Sequence, residues 1–300
     1  AREAVAELLG VSDPANIVFT LNGTDALNIA LKGLLEQNDH VIHTSIDHNS
    51  VLRPLRRLEK DKNITLTTIP CNKNGYPDIG VLRESFQDNT RLLIINHASN
   101  VTGTIAPLAK MVKSAHSQGV PVLVDAAQSA GKVPIDIEKM QIDLLAFTGH
   151  KSLMGPTGTG GLYVKPGLNI KTFREGGTGS RSEEEEHPTS MPEKLEAGTL
   201  NNMGLSGLLQ GISFIQEVGL ETIAAKEIDL SNYITERLEE ITGINLFKPE
   251  NLHDSTAIIT FTLDGADSGE IGYLLESNYG VICRTGLHCA PQAHKAIGTF

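Results

Sequence analysis

Along the first half of the chain, short apolar runs alternate with stretches whose apolar residues recur near helical spacing. The runs at 17–20, 41–44, 64–69, 92–96, 120–125, 144–148 and 161–164 predict strands, several of them continuous and β-branched as in strands buried on both faces. Between them, 23–35, 50–59, 79–86 and 108–118 predict helices, and the first ten residues already follow an amphipathic helical pattern. Strand and helix in alternation predict an α/β architecture with a mainly parallel sheet covered on both sides.

The alternation stops at 167–192. There the GGTGS run at 176–180 and four glutamates at 183–186 predict a long surface loop. Helical patterns at 202–217 and 220–241 follow, then a strand at 256–263 and a helix at 268–277. This tail reads as the start of a smaller α+β unit. No internal repeat or low-complexity tract interrupts it.

Composition narrows the function classes. At about 150 residues per domain, the 300 residues allow one large domain or two ordinary ones, and 40% hydrophobic content supplies a core. Twenty-five Lys+Arg against 36 Asp+Glu leave a net charge of −11, which disfavours nucleic acid as the main partner. No apolar run approaches the roughly 20 residues that span a bilayer, so no membrane association is expected. The chain begins mid-pattern without Met and stops at Phe300 without a closing helix, so an internal piece of a longer protein is expected. The lack of a charged-then-apolar leader, and three cysteines with no CxxC pair, suit a reducing cytoplasm.

In open parallel sheets, ligands bind beyond the carboxyl ends of the strands. The residues there form a polar set: Gly23 and Thr24, Asp47 and His48, Ser99 and Asn100, Asp125 and Gln128, and Thr148 to Lys151. Asp125 ends a strongly apolar strand and is expected to be buried. It is either a structural cap or ion pair, or a carboxylate able to hold a proton on a heteroaromatic nitrogen. Lys151, in a glycine-rich turn after an apolar run, is either a solvated lysine or an amine whose pKa crowding lowers, as a Schiff base needs. Gly23 and Thr24 open a helix and suit a phosphate, although Asn22 or Thr24 could simply cap it. The glycines at 155, 158, 160 and 161 match neither a Walker loop nor a dinucleotide fingerprint, which argues against ATP and NAD.

Cys71 and Cys283 are expected to be small buried hydrophobes. Cys289, among Gly286, His288, Pro291 and His294, reads as a loop thiol, and Arg284 and His288 nearby would favour its thiolate. Zinc held by Cys283, His288, Cys289 and His294 is the weaker reading, because the spacing fits no familiar structural zinc pattern.

Five blocks together carry a resemblance: VLVDAAQSAG at 122–131, FTGHKSLMGPTGTG at 147–160, HASNVTG at 97–103, EAGT at 196–199 and RTGLHC at 284–289. In kind and order they are similar to the pyridoxal-phosphate-dependent cysteine desulfurases of the class-V aminotransferase group. The resemblance implies the aspartate-aminotransferase-like fold, type I among pyridoxal-phosphate enzymes. A large domain with a mainly parallel seven-stranded sheet would occupy 1–200, and connecting helices with a partial small α+β domain 201–300. It implies Lys151 as the lysine that binds pyridoxal phosphate covalently, Asp125 against the pyridine nitrogen and Gln128 on the ring oxygen. His48 would stack on the ring and assist proton transfer. Gly23 lies in the first phosphate loop, where many members carry threonine, and Thr24, Thr148 and His150 would hold the phosphate. Thr178 would reach the phosphate of a partner subunit, which implies a homodimer. Asn100 and Arg284 would lie near the substrate, L-cysteine. Cys289 would accept its sulfur as a persulfide, leaving L-alanine, and pass it to an acceptor for iron–sulfur cluster or thio-cofactor synthesis. A selenocysteine lyase or another class-V enzyme is the alternative within the same chemistry. A truncated, non-catalytic dimerisation or scaffold subunit, with 183–186 meeting a basic partner, is the alternative outside it.

Overall fold

Seven strands build one sheet: β1 (Ile17–Thr20), β2 (His40–Thr44), β3 (Thr65–Ile69), β4 (Thr90–Asn96), β5 (Val122–Asp125), β6 (Leu144–Thr148) and β7 (Gly160–Val164). Their order across the sheet is β1-β7-β6-β5-β4-β2-β3. The computed structural model describes residues 1–249, 251 and 254–300. The pairings β2–β3, β2–β4, β4–β5 and β5–β6 are parallel, while β7 runs against both β6 and β1. Two reversals restore the direction, so β1 points the same way as β6. The carboxyl ends of β1, β2, β4, β5 and β6 therefore all face one edge.

Helices α1 (Arg2–Leu9), α2 (Gly23–Leu34), α3 (Asn49–Lys62), α4 (Ile79–Glu84) and α5 (Leu108–His116) fall at or between the strands. Strands β1, β2, β4, β5, β6 and β7 are buried along nearly their whole length, which is why their sequences read as unbroken apolar runs. Two apolar layers lie on the two faces: one gathers Ile17, Ile95, Val124 and Phe147, the other Val18, Ile94, Leu123 and Ala146. Consecutive residues alternate between the layers, the period-2 signature of a doubly covered sheet.

No helix or strand occupies 165–201, in line with the predicted loop. Beyond it come α6 (Asn202–Val218), α7 (Leu220–Glu239), β8 (Ile244–Phe247), β9 (Thr260–Leu263), α8 (Ser268–Tyr279) and α9 (Pro291–Ile297). Helix α6 buries Leu208, Ile212 and Ile215 in the first layer. Strands β8 and β9 form a separate antiparallel pair. The predicted strand at 256–263 is shorter and half-buried throughout, without the expected alternation. Helix α9 returns to the large sheet, packing Ala290, Ala293 and Ile297 on Ile46 and Val101. Among the described residues, no helix is long and apolar enough to cross a membrane.

Candidate active site

A cavity of about 320 Å³ opens at the shared carboxyl edge of the strands. Gly23, Thr24, His48, Asn100, Asp125, Gln128, Thr148, His150, Lys151 and Arg284 all line it. A second cavity of about 640 Å³ adjoins it, sharing His48, Asn100, Gln128, Lys151 and Arg284 and extending between β9, α8 and the segment 283–288.

The α2 end of the cavity is a helix start. Asn22, rather than Thr24, caps it, Oδ1 accepting the Asp25 N–H at 3.0 Å. Gly23 and Thr24 occupy the first turn, where no intrahelical acceptor exists for their N–H groups. Those donors, the Thr24 hydroxyl and Thr148 make an anion cradle. Thr148 Oγ1 lies 2.9 Å from His150 Nδ1. Burial, then the Lys151 charge, lower the His150 pKa.

The glycines at 160 and 161 serve packing beneath this cradle. A Cβ on Gly160 would come within 2.7 Å of the Asn22 backbone, and one on Gly161 within 2.3 Å of the Phe147 ring. Only glycine lets β7 press against the cap of α2 and the end of β6.

His48 has two attachments. It caps α3, its Nδ1 accepting the Ser50 N–H at 3.0 Å, and it lines both cavities. The same residue therefore closes the start of α3 and faces the site. Burial first, then the charges of Lys151, Arg284 and Arg53, lower its pKa to about 4, so the ring is neutral near pH 7.

Asp125 ends β5 at 6% exposure and accepts the Ala127 N–H at 3.0 Å. Burial raises its carboxyl to about 6, against the Ala127 hydrogen bond and the Lys151 charge, which lower it. Such a carboxylate gains most from a cationic partner placed beside it. Lys151 is not enclosed as the sequence suggested: its residue is exposed to the cavity. Its pKa is nonetheless lowered, first by desolvation within the cavity walls, with Arg284 adding to the effect and Asp125 opposing it.

Cys289 is exposed, and Arg284 Nη2 donates to its Sγ at 3.3 Å. Its turn is pinned to the cavity wall: Asn49 N donates to Cys289 O and Asn100 Nδ2 to His288 O, both at 2.8 Å. Cys71 and Cys283 depart from expectation. Cys71 is half-buried, its thiol pushed up to about 11 by burial. Cys283 is exposed on the wall of the larger cavity, because the apolar triplet 281–283 forms no strand and Ile282 stands 83% exposed. Thr178 lies outside both cavities, on the exposed loop, its hydroxyl donating to Ser180 O at 3.0 Å.

Sequence reading missed Ser50 and Asn96, which also line the smaller cavity. Asn96 Oδ1 is buried without a hydrogen-bond partner among the described residues, as is Asn100 Oδ1, so both are acceptors that a bound group can satisfy. The end of β4 was the signal for Asn96; nothing in the pattern marked Ser50. The EAGT block holds the fold together: Glu196 forms a two-pronged ion pair with Arg2 and accepts the Phe19 N–H at 2.5 Å.

The class-V aminotransferase family profile matches residues 1–299. The chain belongs to the cysteine desulfurases of that family. It is similar to the cysteine desulfurase of Escherichia coli (strain K12 / DH10B), with 34% identity over 299 residues covering 96% of this chain and 72% of that one. The apo cysteine desulfurase of Thermococcus onnurineus NA1 superposes with a TM-score of 0.91 at 32% identity, over 99% of this chain and 75% of that one. The Escherichia coli cysteine desulfurase CsdA, in an S-sulfonic acid form, gives 0.91 at 30%, over 99% and 75%. A C-DES variant with glycine covalently linked to its pyridoxal-phosphate cofactor gives 0.83 at 25%, over 99% and 83%. The seven-stranded, mainly parallel sheet is that of the pyridoxal-phosphate enzymes of fold type I, and the cavity at the strand ends has the donor set for that cofactor: a helix-start cradle, a buried carboxylate and an accessible lysine.

Proposed function

We propose that this chain converts L-cysteine to L-alanine and that Cys289 takes the sulfur as a persulfide. The observation that carries the reading is the convergence of Lys151, Asp125 and His48 on one cavity, with the Cys289 turn pinned to its rim through Asn49 and Asn100.

Bound pyridoxal phosphate supplies an electrophilic carbon and an electron-accepting ring. Gly23, Thr24, Thr148 and His150 would hold its phosphate, Asp125 its ring nitrogen, Gln128 and Asn100 its oxygen face, and Lys151 its reactive carbon. Lys151, with its lowered pKa, then moves the proton at the substrate Cα. Neutral His48 beside it exchanges a proton with the substrate thiol. Asn100 and Arg284 orient the substrate from the rim. The Cys289 thiolate, beside Arg284, attacks the substrate sulfur; the C–S bond breaks as the S–S bond forms, its electron pair stays on the substrate Cβ and is protonated to the methyl group of alanine, and the thiol proton leaves through His48.

The position of Thr178 outside the cavity, on an exposed loop, supports a homodimer in which it reaches the partner's phosphate. Three free cysteines support a cytoplasmic setting, and the exposure of Cys289 supports onward transfer to an acceptor that feeds iron–sulfur cluster or thio-cofactor synthesis. The test is alanine release from cysteine and from selenocysteine by the cofactor-loaded protein and its Lys151→Ala variant. Loss of both activities and of the cofactor's visible band in the variant fits the proposal. Undiminished turnover in Lys151→Ala refutes it, and turnover of selenocysteine alone makes the enzyme a selenocysteine lyase.

A further inference from the structure

Cys289 sits on a turn whose backbone conformation needs outside support. His288 and Cys289 both have positive φ, 48° and 57°, a conformation that residues with a Cβ adopt only where their surroundings hold them. Asn49 and Asn100 hold the turn from the cavity side. Beside it, on the wall of the larger cavity, two imidazoles lie together. The ring centroids of His288 and His294 are 5.3 Å apart, with the planes tilted by 46°.

His294 lies on α9 at 4% exposure, and its Nδ1 is 2.7 Å from Thr299 Oγ1. Its Nε2 is buried without a hydrogen-bond partner among the described residues, and so is His288 Nδ1. Buried nitrogens of this kind are costly to leave unpaired. His288 Nε2 lies 3.1 Å from the Arg284 carbonyl, which only accepts, so this nitrogen carries the proton of a neutral ring and Nδ1 is a bare lone pair. Polarity then admits one pairing of the two rings: a rotation that brought them together would let His294 Nε2–H donate to His288 Nδ1, a bond the rings do not make as they stand. His294 Nδ1 is thereby left as an acceptor, and the Thr299 hydroxyl is its donor. Among the described residues, no group of three or more His, Cys, Asp or Glu forms a set of metal ligands here.

We propose that His294 is a positioning residue for Cys289, holding the cysteine turn through a directed hydrogen-bond chain from Thr299 to His294, to His288, to the Arg284 carbonyl. The chain ends on the residue whose guanidinium donates to Cys289 Sγ at 3.3 Å. It thus fixes the position of Arg284 and the conformation of the turn at once. Its bearing on turnover rests on Cys289 being the sulfur acceptor; its bearing on the reactivity of that thiol does not.

The experiment is alkylation of Cys289 by iodoacetamide at pH 7 in the cofactor-loaded protein, followed at the Cys289 peptide by mass spectrometry. His294→Leu is expected to slow alkylation about fivefold to tenfold, the worth of one hydrogen bond, by releasing the Arg284 donor from Cys289 Sγ. His294→Gln, whose amide N–H donates from nearly the same place, is expected to stay within about twofold of the parent. The cofactor's visible spectrum is expected to be unchanged in both, since neither ring lines the smaller cavity. Thr299→Val is expected to repeat the loss by releasing the same turn from the far end of the chain, and it decides the matter should His294→Leu not fold. Alkylation at the parent's rate in His294→Leu or Thr299→Val would overturn the proposal, as would equal slowing in the Leu and Gln variants. Persulfide chemistry surviving Cys289→Ala would instead overturn the sulfur-acceptor reading and leave the alkylation result standing.

Discussion

Ser50 Oγ lies 2.7 Å from His48 Nδ1 and 2.8 Å from Thr24 Oγ1, so one hydroxyl joins the starts of two helices at the cavity wall. Because His48 Nδ1 already accepts the Ser50 N–H, the neutral ring keeps its proton on Nε2, and the Ser50 hydroxyl can donate to Thr24 Oγ1, which leaves the Thr24 proton for the cradle. Ser50→Ala breaks this chain and frees the Thr24 hydroxyl to turn away from the cradle. Cofactor affinity, measured by fluorescence titration, is expected to fall about fivefold, the worth of one net hydrogen bond. Unchanged affinity would remove Thr24 from the cradle.

The two exposed thiols are expected to differ in function. Cys289→Ala is expected to lower alanine formation from cysteine by at least about a hundredfold, as loss of a nucleophile does. Cys283→Ala, on the wall of the larger cavity, is expected to stay within about twofold of the parent. Turnover and persulfide content measured side by side would expose a reversed assignment.

Asp125→Asn keeps the size of the side chain and removes its charge. Cofactor uptake is expected to survive while the rate falls about a hundredfold or more, the scale on which a preorganised electrostatic partner acts. Parallel binding and single-turnover measurements separate the two effects. Equal loss of both would make Asp125 a binding residue only.

His97, at 3% exposure with Nδ1 2.8 Å from Ser129 Oγ, governs part of the pH response. Burial lowers its pKa from 6.5 to about 4. Between these values the unfolded chain binds a proton that the folded chain does not, so stability rises with pH across that window and is full above 6.5. Acidification from pH 7 to 4 is expected to cost up to about 3 kcal/mol through this residue. Asp125 acts in the opposite sense, since its raised carboxyl favours the folded state below 3.8 and loses that contribution as pH rises through about 6. Urea midpoints of the cofactor-free protein between pH 4 and 6.5 are expected to vary less in His97→Asn; an identical slope would exclude His97 as the source.

Gly160→Ala is expected to destabilise by about 1–3 kcal/mol, because its methyl group would meet the Asn22 backbone rather than a movable side chain. Thermal unfolding reads the change. Cofactor affinity should fall with it if the cap of α2 shifts.

Much of this was legible because the sheet is buried on both faces. Such strands leave long apolar runs, and the polar residue that ends each run faces the ligand edge. The places of Asp125 and Lys151 at that edge were readable on that ground, while the roles given to them came from the resemblance. Roles depending on contacts between distant segments were not: Ser50 looks like any helix residue until Thr24 and His48 are seen beside it. The expectation of a buried Cys283 failed because the apolar neighbours Val281 and Ile282 gain no strand partner and stand exposed themselves. Strand β8 is short and its four residues at most half-buried, so no periodicity announced it.

The two hydrogen bonds that tether the Cys289 turn come from Asn49, at the start of α3, and Asn100, just beyond β4. Neither comes from β8 or β9. The thiol is therefore surveyed from the same benchmarks as the cavity.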